Sequence, residues 1–315
     1  MGRARTSSAQ PGPPMDCAIP NAVVPVAGLG TRLLPVTKSQ PKEMLPVARK
    51  PIVQYVVEEL ARSGVRNVLF VTGRGKAAIE NHFDPDRALV DSLRKAGQDD
   101  LLSELDFEKL GVNVLYTRQS VQRGLGDAIL HGESFAGRDP FIVALGDSII
   151  GVKGDSTACR RMADAFVERD AAVVIAVQEV PAERVRFYGI VQPGGGGDVF
   201  PILTMVEKPS SEAAPSRLAV SGRYVFSAEI FDMIRRVRPD RRGEIQITDA
   251  IRMIAEQGGK VLGLKLRPEE RRYDIGTMPS YFETFIDFAL ADPDHGERVR
   301  AYVRKALGRA GAEPI

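Results

Sequence analysis

Asn21-Ala22-Val23-Val24-Pro25-Val26-Ala27-Gly28-Leu29-Gly30-Thr31-Arg32 carries an unbroken apolar run from Ala22 to Ala27 into a glycine-rich turn that ends on an arginine. A short apolar run closed by a turn is the pattern of a buried strand. Farther along, residues 52–63 are amphipathic at helical spacing, and Val68-Leu69-Phe70-Val71-Thr72 repeats the strand pattern. The rhythm continues through a strand at 112–116, a helix over 125–134 and the run Phe141-Ile142-Val143-Ala144-Leu145. Strands alternating with helices predict βαβ units, hence an α/β fold with a doubly wound, mostly parallel, Rossmann-like sheet. Ligands of such sheets collect at the carboxyl ends of strands, which directs attention to the residues after Ala27 and Leu145.

Beyond Asp170 the pattern changes. Strands are expected over 171–177, 189–192, 199–206 and 218–226, with a turn at Gly194-Gly195-Gly196-Gly197 and few helices between them. This predicts a mixed or antiparallel continuation of the same sheet. Helices return over 227–237, 248–257 and 279–290, and the tail over 297–307 reads as a charged amphipathic helix available for contact with another copy. No repeat with a period of about 20 to 50 residues is visible, which excludes a solenoid.

Bulk properties narrow the function classes. The 315 residues are 43% hydrophobic, enough for one large core. Lys plus Arg exceeds Asp plus Glu by only two, so no global field steers the chain onto nucleic acid or an anionic membrane. Trp is absent and the basic residues are dispersed, which argues further against a nucleic-acid module. Cys17 and Cys159 stand far apart with no Cys or His at zinc-site spacing, so neither a structural metal nor a disulfide framework is expected. No apolar run reaches the roughly 18 residues of a membrane span. Residues 1–18, rich in Ser, Pro, Gly and Gln, read as a disordered leader without the apolar stretch of a secretory signal, and a cytoplasmic protein is expected.

The chemistry concentrates in Gly28-Leu29-Gly30-Thr31-Arg32, where glycines let backbone N–H groups approach phosphate oxygens and Arg32 offers a forked donor. A dinucleotide fingerprint would need a third glycine where Leu33 stands, and a Walker loop fails at Gly75-Lys76, which has Phe70 in place of the first glycine and Ala77 after the lysine. Pro41-Lys42-Glu43-Met44-Leu45-Pro46 pins a lysine between two prolines, which makes Lys42 a second candidate for phosphate. Taken singly, each motif also has a plainer reading: a tight turn, a solvated ion pair, or a helix cap.

Taken in order, Gly28 to Arg32, Pro41 to Pro46 and Lys50-Pro51-Ile52-Val53-Gln54-Tyr55 resemble the sugar-1-phosphate nucleotidylyltransferase family, in particular its uridylyl-transferring bacterial branch. The likeness continues through Arg118-Gln119, Gly124-Leu125-Gly126-Asp127-Ala128, Glu207-Lys208-Pro209, Gly222-Arg223-Tyr224 and Gly243-Glu244-Ile245-Gln246-Ile247-Thr248-Asp249-Ala250, and spans residues 21–290. It implies a catalytic domain over 19–292, with a nucleotide half at 19–150 and a sugar half at 151–292, followed by a C-terminal helix at 293–315. The implied reaction is transfer of a uridylyl group from UTP to glucose-1-phosphate with Mg²⁺, in a homodimer or homotetramer.

The resemblance also implies residue roles. Ala27, Gly28, Gln119 and Gly124 would hold the base, with Leu29, Gly30 and Thr31 completing the nucleotide loop. Arg32 and Lys42 would bind the triphosphate. Asp147 and Asp274 would coordinate the metal, a donor set suited to a small hard cation. Glu207, Gly189 and Gly222 would receive the sugar, and Lys208 its phosphate. The nucleophile is already an anion, so none of His82, His131 and His295 is needed as a base, and His82 is expected to be structural. One departure stands out: Leu145-Gly146-Asp147 replaces the usual Leu-Pro-Asp and resembles the branch that transfers thymidylyl groups, which keeps dTTP open as the donor. A nucleotide-sugar sensor without catalysis would have lost Asp147, Asp274 or Lys208, and all three are present.

Overall fold

Strands with apolar residues at every position must be covered on both faces. The computed structural model, which describes residues 18–310, meets this requirement with helices on each side of one nine-stranded sheet. The strands are β1 (Asn21–Pro25), the short pair β2 (Pro46–Val47) and β3 (Lys50–Pro51), β4 (Asn67–Thr72), β5 (Asn113–Arg118), β6 (Phe141–Ala144) and β7 (Ser148–Ile150). There follow β8 (Val173–Glu179), β9 (Gly189–Pro193), β10 (Val199–Glu207), β11 (Leu218–Phe226), β12 (Val261–Lys265) and β13 (Arg272–Asp274). Sheet order is β5-β4-β1-β6-β11-β8-β12-β10-β9. The first four strands are parallel, β11 runs antiparallel to both β6 and β8, and β12 is parallel to β8. The parallel half and its mixed continuation are thus as the sequence pattern predicts.

Alternation at period two sorts the strand side chains. Val23, Val143, Val173 and Ile175 enter a core with the helices Gly124–Leu130, Glu229–Arg236 and Ile247–Glu256. Their neighbours Val24, Ile142, Val174 and Ala176 enter a second core under the helices Ile52–Arg62 and Ala158–Glu168. A third, smaller core joins Leu45, Val47, Ile149, Tyr273 and Phe288, and so fastens the helix Met278–Leu290 to the β7–β13 pair.

One expectation needs correction, and two further segments hold helices that the sequence pattern leaves unassigned. The helix expected over 125–134 is two helices, Gly124–Leu130 and Glu133–Ala136. A Cβ at Gly132 would lie 2.8 Å from Val23 Cγ2, so the close approach of β1 demands glycine where a helix would otherwise continue. Ala158–Glu168 is a helix where none is expected from the sequence, and the polar stretch after Asp84 forms the surface helices Arg87–Lys95 and Asp99–Ser103, neither of which buries a residue. The tail helix runs Gly296–Ala310. Cys17 and all of the leader but Ala18 lie outside the described residues, and Cys159 is a buried thiol whose Sγ donates to Glu59 Oε1 at 3.2 Å.

Glu270 fastens the turn between β12 and β13 to the start of the helix Ala158–Glu168. Its carboxylate accepts from Thr157 N at 2.9 Å, Ser156 Oγ at 3.1 Å and Arg267 N at 3.0 Å, and it pairs with Arg161. Burial opposes the charge, yet these backbone donors and Arg161 together hold the carboxyl below its ordinary value of 4.5. A depressed carboxyl contributes stability that is complete above the ordinary value and is lost as pH falls through the folded-state value. Denaturant midpoints of the wild-type chain and Glu270→Gln should therefore differ most near pH 7 and converge in acid.

Candidate active site

The connections from β1 lead to β4 on one side, while β6 pairs on the other, so the strand order reverses between β1 and β6. A crevice opens at the carboxyl ends of strands at such a point. Both loops singled out in the sequence leave from it: residues 27–32 follow β1, and Leu145, Gly146 and Asp147 follow β6. Among the described residues, no group accepts from the backbone N–H of Gly28, Leu29 or Gly30. Gly30 takes a left-handed φ of 68°, which turns the loop.

Two adjoining cavities fill the crevice. The first, about 440 Å³, is lined by Ala27 through Arg32 together with Lys42, Gln119, Gly124 and Asp147. The second, about 940 Å³, is lined by Gly189, Glu207, Lys208, Gly222 and Asp274. Thr31, Arg32 and Asp147 border both. Every candidate site residue therefore lies on one continuous groove, and none of the three histidines lines either cavity. His82 instead stacks on Phe107 at 4.7 Å and meets Gln54 Oε1 at 3.1 Å, where burial lowers its pKa.

Lys42 is threaded under the glycine loop: a Cβ on Gly28 would sit 3.5 Å from its Cε and Nζ. Its ammonium pairs with Asp147. Burial alone would lower the lysine pKa, but Asp147, Glu43 and Asp274 raise it, so the group stays protonated. Conversely, Lys42 and Arg272 hold the Asp147 carboxyl below its ordinary range against the burial that opposes its charge. The adjacent Glu43, which also borders the first cavity, forms a buried pair with Lys76 at 2.7 Å.

Asp274 reaches Asp147 through strand pairing. In the β7–β13 ladder it lies opposite Ser148, and Ile275 N donates to Asp147 O at 3.2 Å. The two carboxylates face one groove, and one of them already holds an ammonium, so the donor set fits a cation.

On the wall of the second cavity, Lys208 adopts φ 47°, a left-handed conformation uncommon for a lysine, and its ammonium lies 3.0 Å from Glu207 Oε1. Gly222, at φ 73°, passes so close to Leu145 that a Cβ would meet Cδ1 at 3.1 Å. Arg272 is not singled out by the sequence because it stands in the charge run Glu269-Glu270-Arg271-Arg272, which reads as a solvated turn. In the fold it is mostly buried and donates to Ser148 Oγ at 2.7 Å, Val220 O at 3.1 Å and Asp274 Oδ1 at 3.0 Å. Tyr188, Tyr224, Glu244, Gln246 and Thr248 also line this wall; all but Tyr188 stand in motifs that carry the family likeness, to which the sequence alone attaches no role.

Gly146, the departure from the usual pattern, lines neither cavity. A Cβ there would fall 2.4 Å from Val26 Cγ1, so the glycine answers to the packing of β1.

Comparison with known proteins agrees with this geometry. The nucleotidyl transferase family profile matches residues 21–289. The UTP–glucose-1-phosphate uridylyltransferase of Staphylococcus epidermidis is 41% identical over 289 residues, 91% of this chain and 98% of that one. A solved structure of the UTP-bound UGPase from Acinetobacter baumannii superposes with a TM-score of 0.80 at 33% identity, covering 90% of this chain and 98% of that chain. A UDP-glucose pyrophosphorylase complexed with UDP-glucose superposes with a TM-score of 0.76 at 34% identity, covering 91% and 99%. With nearly the whole length of the chain matched by the family profile and by relatives of this identity, the chain belongs to the nucleotidyl transferase family.

Proposed function

We propose that this chain transfers a uridylyl group from UTP to glucose-1-phosphate, giving UDP-glucose and pyrophosphate. The observation that carries the reading is the pair of adjoining cavities that meet at Arg32 and Asp147, one under a glycine loop with N–H groups to offer and one under Glu207 and Lys208. Relatives bearing that activity in name and a UTP-bound neighbour of the same fold support it.

In this reading Ala27, Gly28, Gln119 and Gly124 take the base, and Leu29, Gly30 and Thr31 line the ribose and phosphate path. Arg32 and Lys42 neutralise the triphosphate. Glu207, Gly189 and Gly222 seat the sugar, and Lys208 orients its phosphate for in-line attack on the α-phosphorus. The residues around 19–150 then act as the nucleotide half and those around 151–292 as the sugar half. A divalent cation, proposed as Mg²⁺ between Asp147 and Asp274, would spread the charge of the crowded phosphate oxygens when bound. Catalysis by these residues is positioning and charge neutralisation, which needs no general base. The homodimer or homotetramer belongs to the same proposal, with the exposed Phe282, Phe285 and Ile286 of the helix Met278–Leu290 as the apolar surface it would draw on.

The thymidylyl alternative rests on Gly146, which stands off the lining. One methyl group on a pyrimidine is worth about 1 to 3 kcal/mol in a pocket, so some use of dTTP is compatible with the reading. Pyrophosphate release with Mg²⁺, comparing UTP with dTTP and glucose-1-phosphate with its galactose and mannose counterparts, tests it. Preference for UTP with glucose-1-phosphate is the expected result. No release with any pair would leave a binding protein without catalysis.

A further inference from the structure

Gln119 is 3% exposed and borders the smaller cavity. Its Nε2 donates to Asp127 Oδ2 at 2.6 Å and to Gly124 O at 3.3 Å. A carboxylate and a carbonyl accept only, so the NH₂ end of the amide must face them, and both of its hydrogens are engaged. Among the described residues nothing donates to Gln119 Oε1. The oxygen is therefore the end of the amide left to a ligand.

Asp127 is itself held firmly. It lies in the first turn of the helix Gly124–Leu130, whose Gly126 N–H donates to Ile245 O at 3.0 Å. A Cβ on Gly124 would meet the same carbonyl at 2.9 Å, so the helix start is clamped against residue 245. His131 Nε2 lies 3.8 Å from the same Asp127 carboxylate.

We infer that Asp127 is a specificity-determining positioning residue: by locking the Gln119 amide, it presents an acceptor oxygen to the base and selects pyrimidines that carry an imide N3–H. Uracil and thymine both donate from N3. Cytosine places a lone pair there and meets the oxygen with repulsion. Asp127 thus separates UTP and dTTP together from CTP, and has no part in separating UTP from dTTP. A site that demands a donor rejects the analogue lacking it far more strongly than an apolar pocket rejects a missing methyl. The inference rests on the nucleotide assignment proposed above and deepens it.

Calorimetric titration of UTP, dTTP and CTP, in the presence of Mg²⁺, into the full chain and its Asp127→Ala and Asp127→Asn variants tests this without requiring turnover. In the wild-type protein UTP and dTTP should bind at least about tenfold more tightly than CTP, a difference of one good hydrogen bond. Asp127→Ala should bring the UTP-to-CTP ratio down by about tenfold and leave the UTP-to-dTTP ratio unchanged. Asp127→Asn should recover most of the selectivity, because its own amide oxygen accepts from Gln119. If the alanine variant does not fold, Asp127→Ser repeats the test with an oxygen too short to reach the glutamine. An unchanged UTP-to-CTP ratio in the truncated variants, an equal fall for all three nucleotides, or a wild-type chain indifferent to the base would overturn the inference. A chain that binds UTP selectively and forms no UDP-glucose would overturn the proposed reaction and leave the role of Asp127 standing.

Discussion

Asp147→Ala should lower turnover by about 10²-fold or more while leaving a folded protein. Asp147 borders both cavities, and it is the partner of Lys42. Removing it deletes one of the two oxygen donors proposed for the cation and frees Lys42 to lean toward Glu43 and Asp274, the other charges that act on it. The groove then loses the arrangement proposed to balance charge around the α-phosphorus. Folding should suffer little, because the side chain is 20% exposed and the lysine left behind keeps those two acidic neighbours. Steady-state kinetics with UTP and glucose-1-phosphate, alongside a thermal unfolding curve, checks both halves of the expectation. Near-normal turnover in the purified variant would remove Asp147 from the reaction.

Much of this site is legible in the sequence because its chemistry sits on loops at the ends of apolar runs. The run Phe141 to Leu145 reads as a strand, and Asp147 follows two residues after it. Glu207 and Lys208 likewise stand at the end of β10. What stays hidden depends on long-range pairing. β13 is three residues long within a charge run; the family likeness marks its Asp274, but only the ladder with β7 brings Arg272 to the site beside it. The helix Ala158–Glu168 escapes notice because its inward face is mostly small residues, Ala158, Cys159, Ala163 and Ala165 around Met162, whose apolar signal is weak. Gly146 shows the opposite error. Its family-level clue points to base choice, and its neighbour Val26 explains it by sterics.

Glu59→Ala should destabilise the fold by about 3 to 5 kcal/mol, measured by denaturant unfolding, because it leaves a fully buried guanidinium without its counter-charge. Arg223, on β11, is 0% exposed, and Glu59, on the helix Ile52–Arg62, is 1% exposed. Arg223 Nη2 donates to Glu59 Oε2 at 2.7 Å, and Nε donates to the same carboxylate at 3.2 Å. The remaining guanidinium hydrogens reach Ser148 O at 2.9 Å, Gly222 O at 3.1 Å and Leu145 O at 3.4 Å. Two of those carbonyls flank Gly146 and Asp147, so the ion pair braces the loop that carries the carboxylate of the site. Stability and activity should therefore separate in the double variant Glu59→Leu with Arg223→Met. Replacing a buried pair by apolar residues of similar volume is often neutral or stabilising, so unfolding should return toward the wild-type value. Turnover should not return with it, since methionine cannot donate to the carbonyls on either side of Asp147. Recovery of both would mean that packing alone holds this loop, and recovery of neither would mean that the cavity under β11 does not accept the apolar pair.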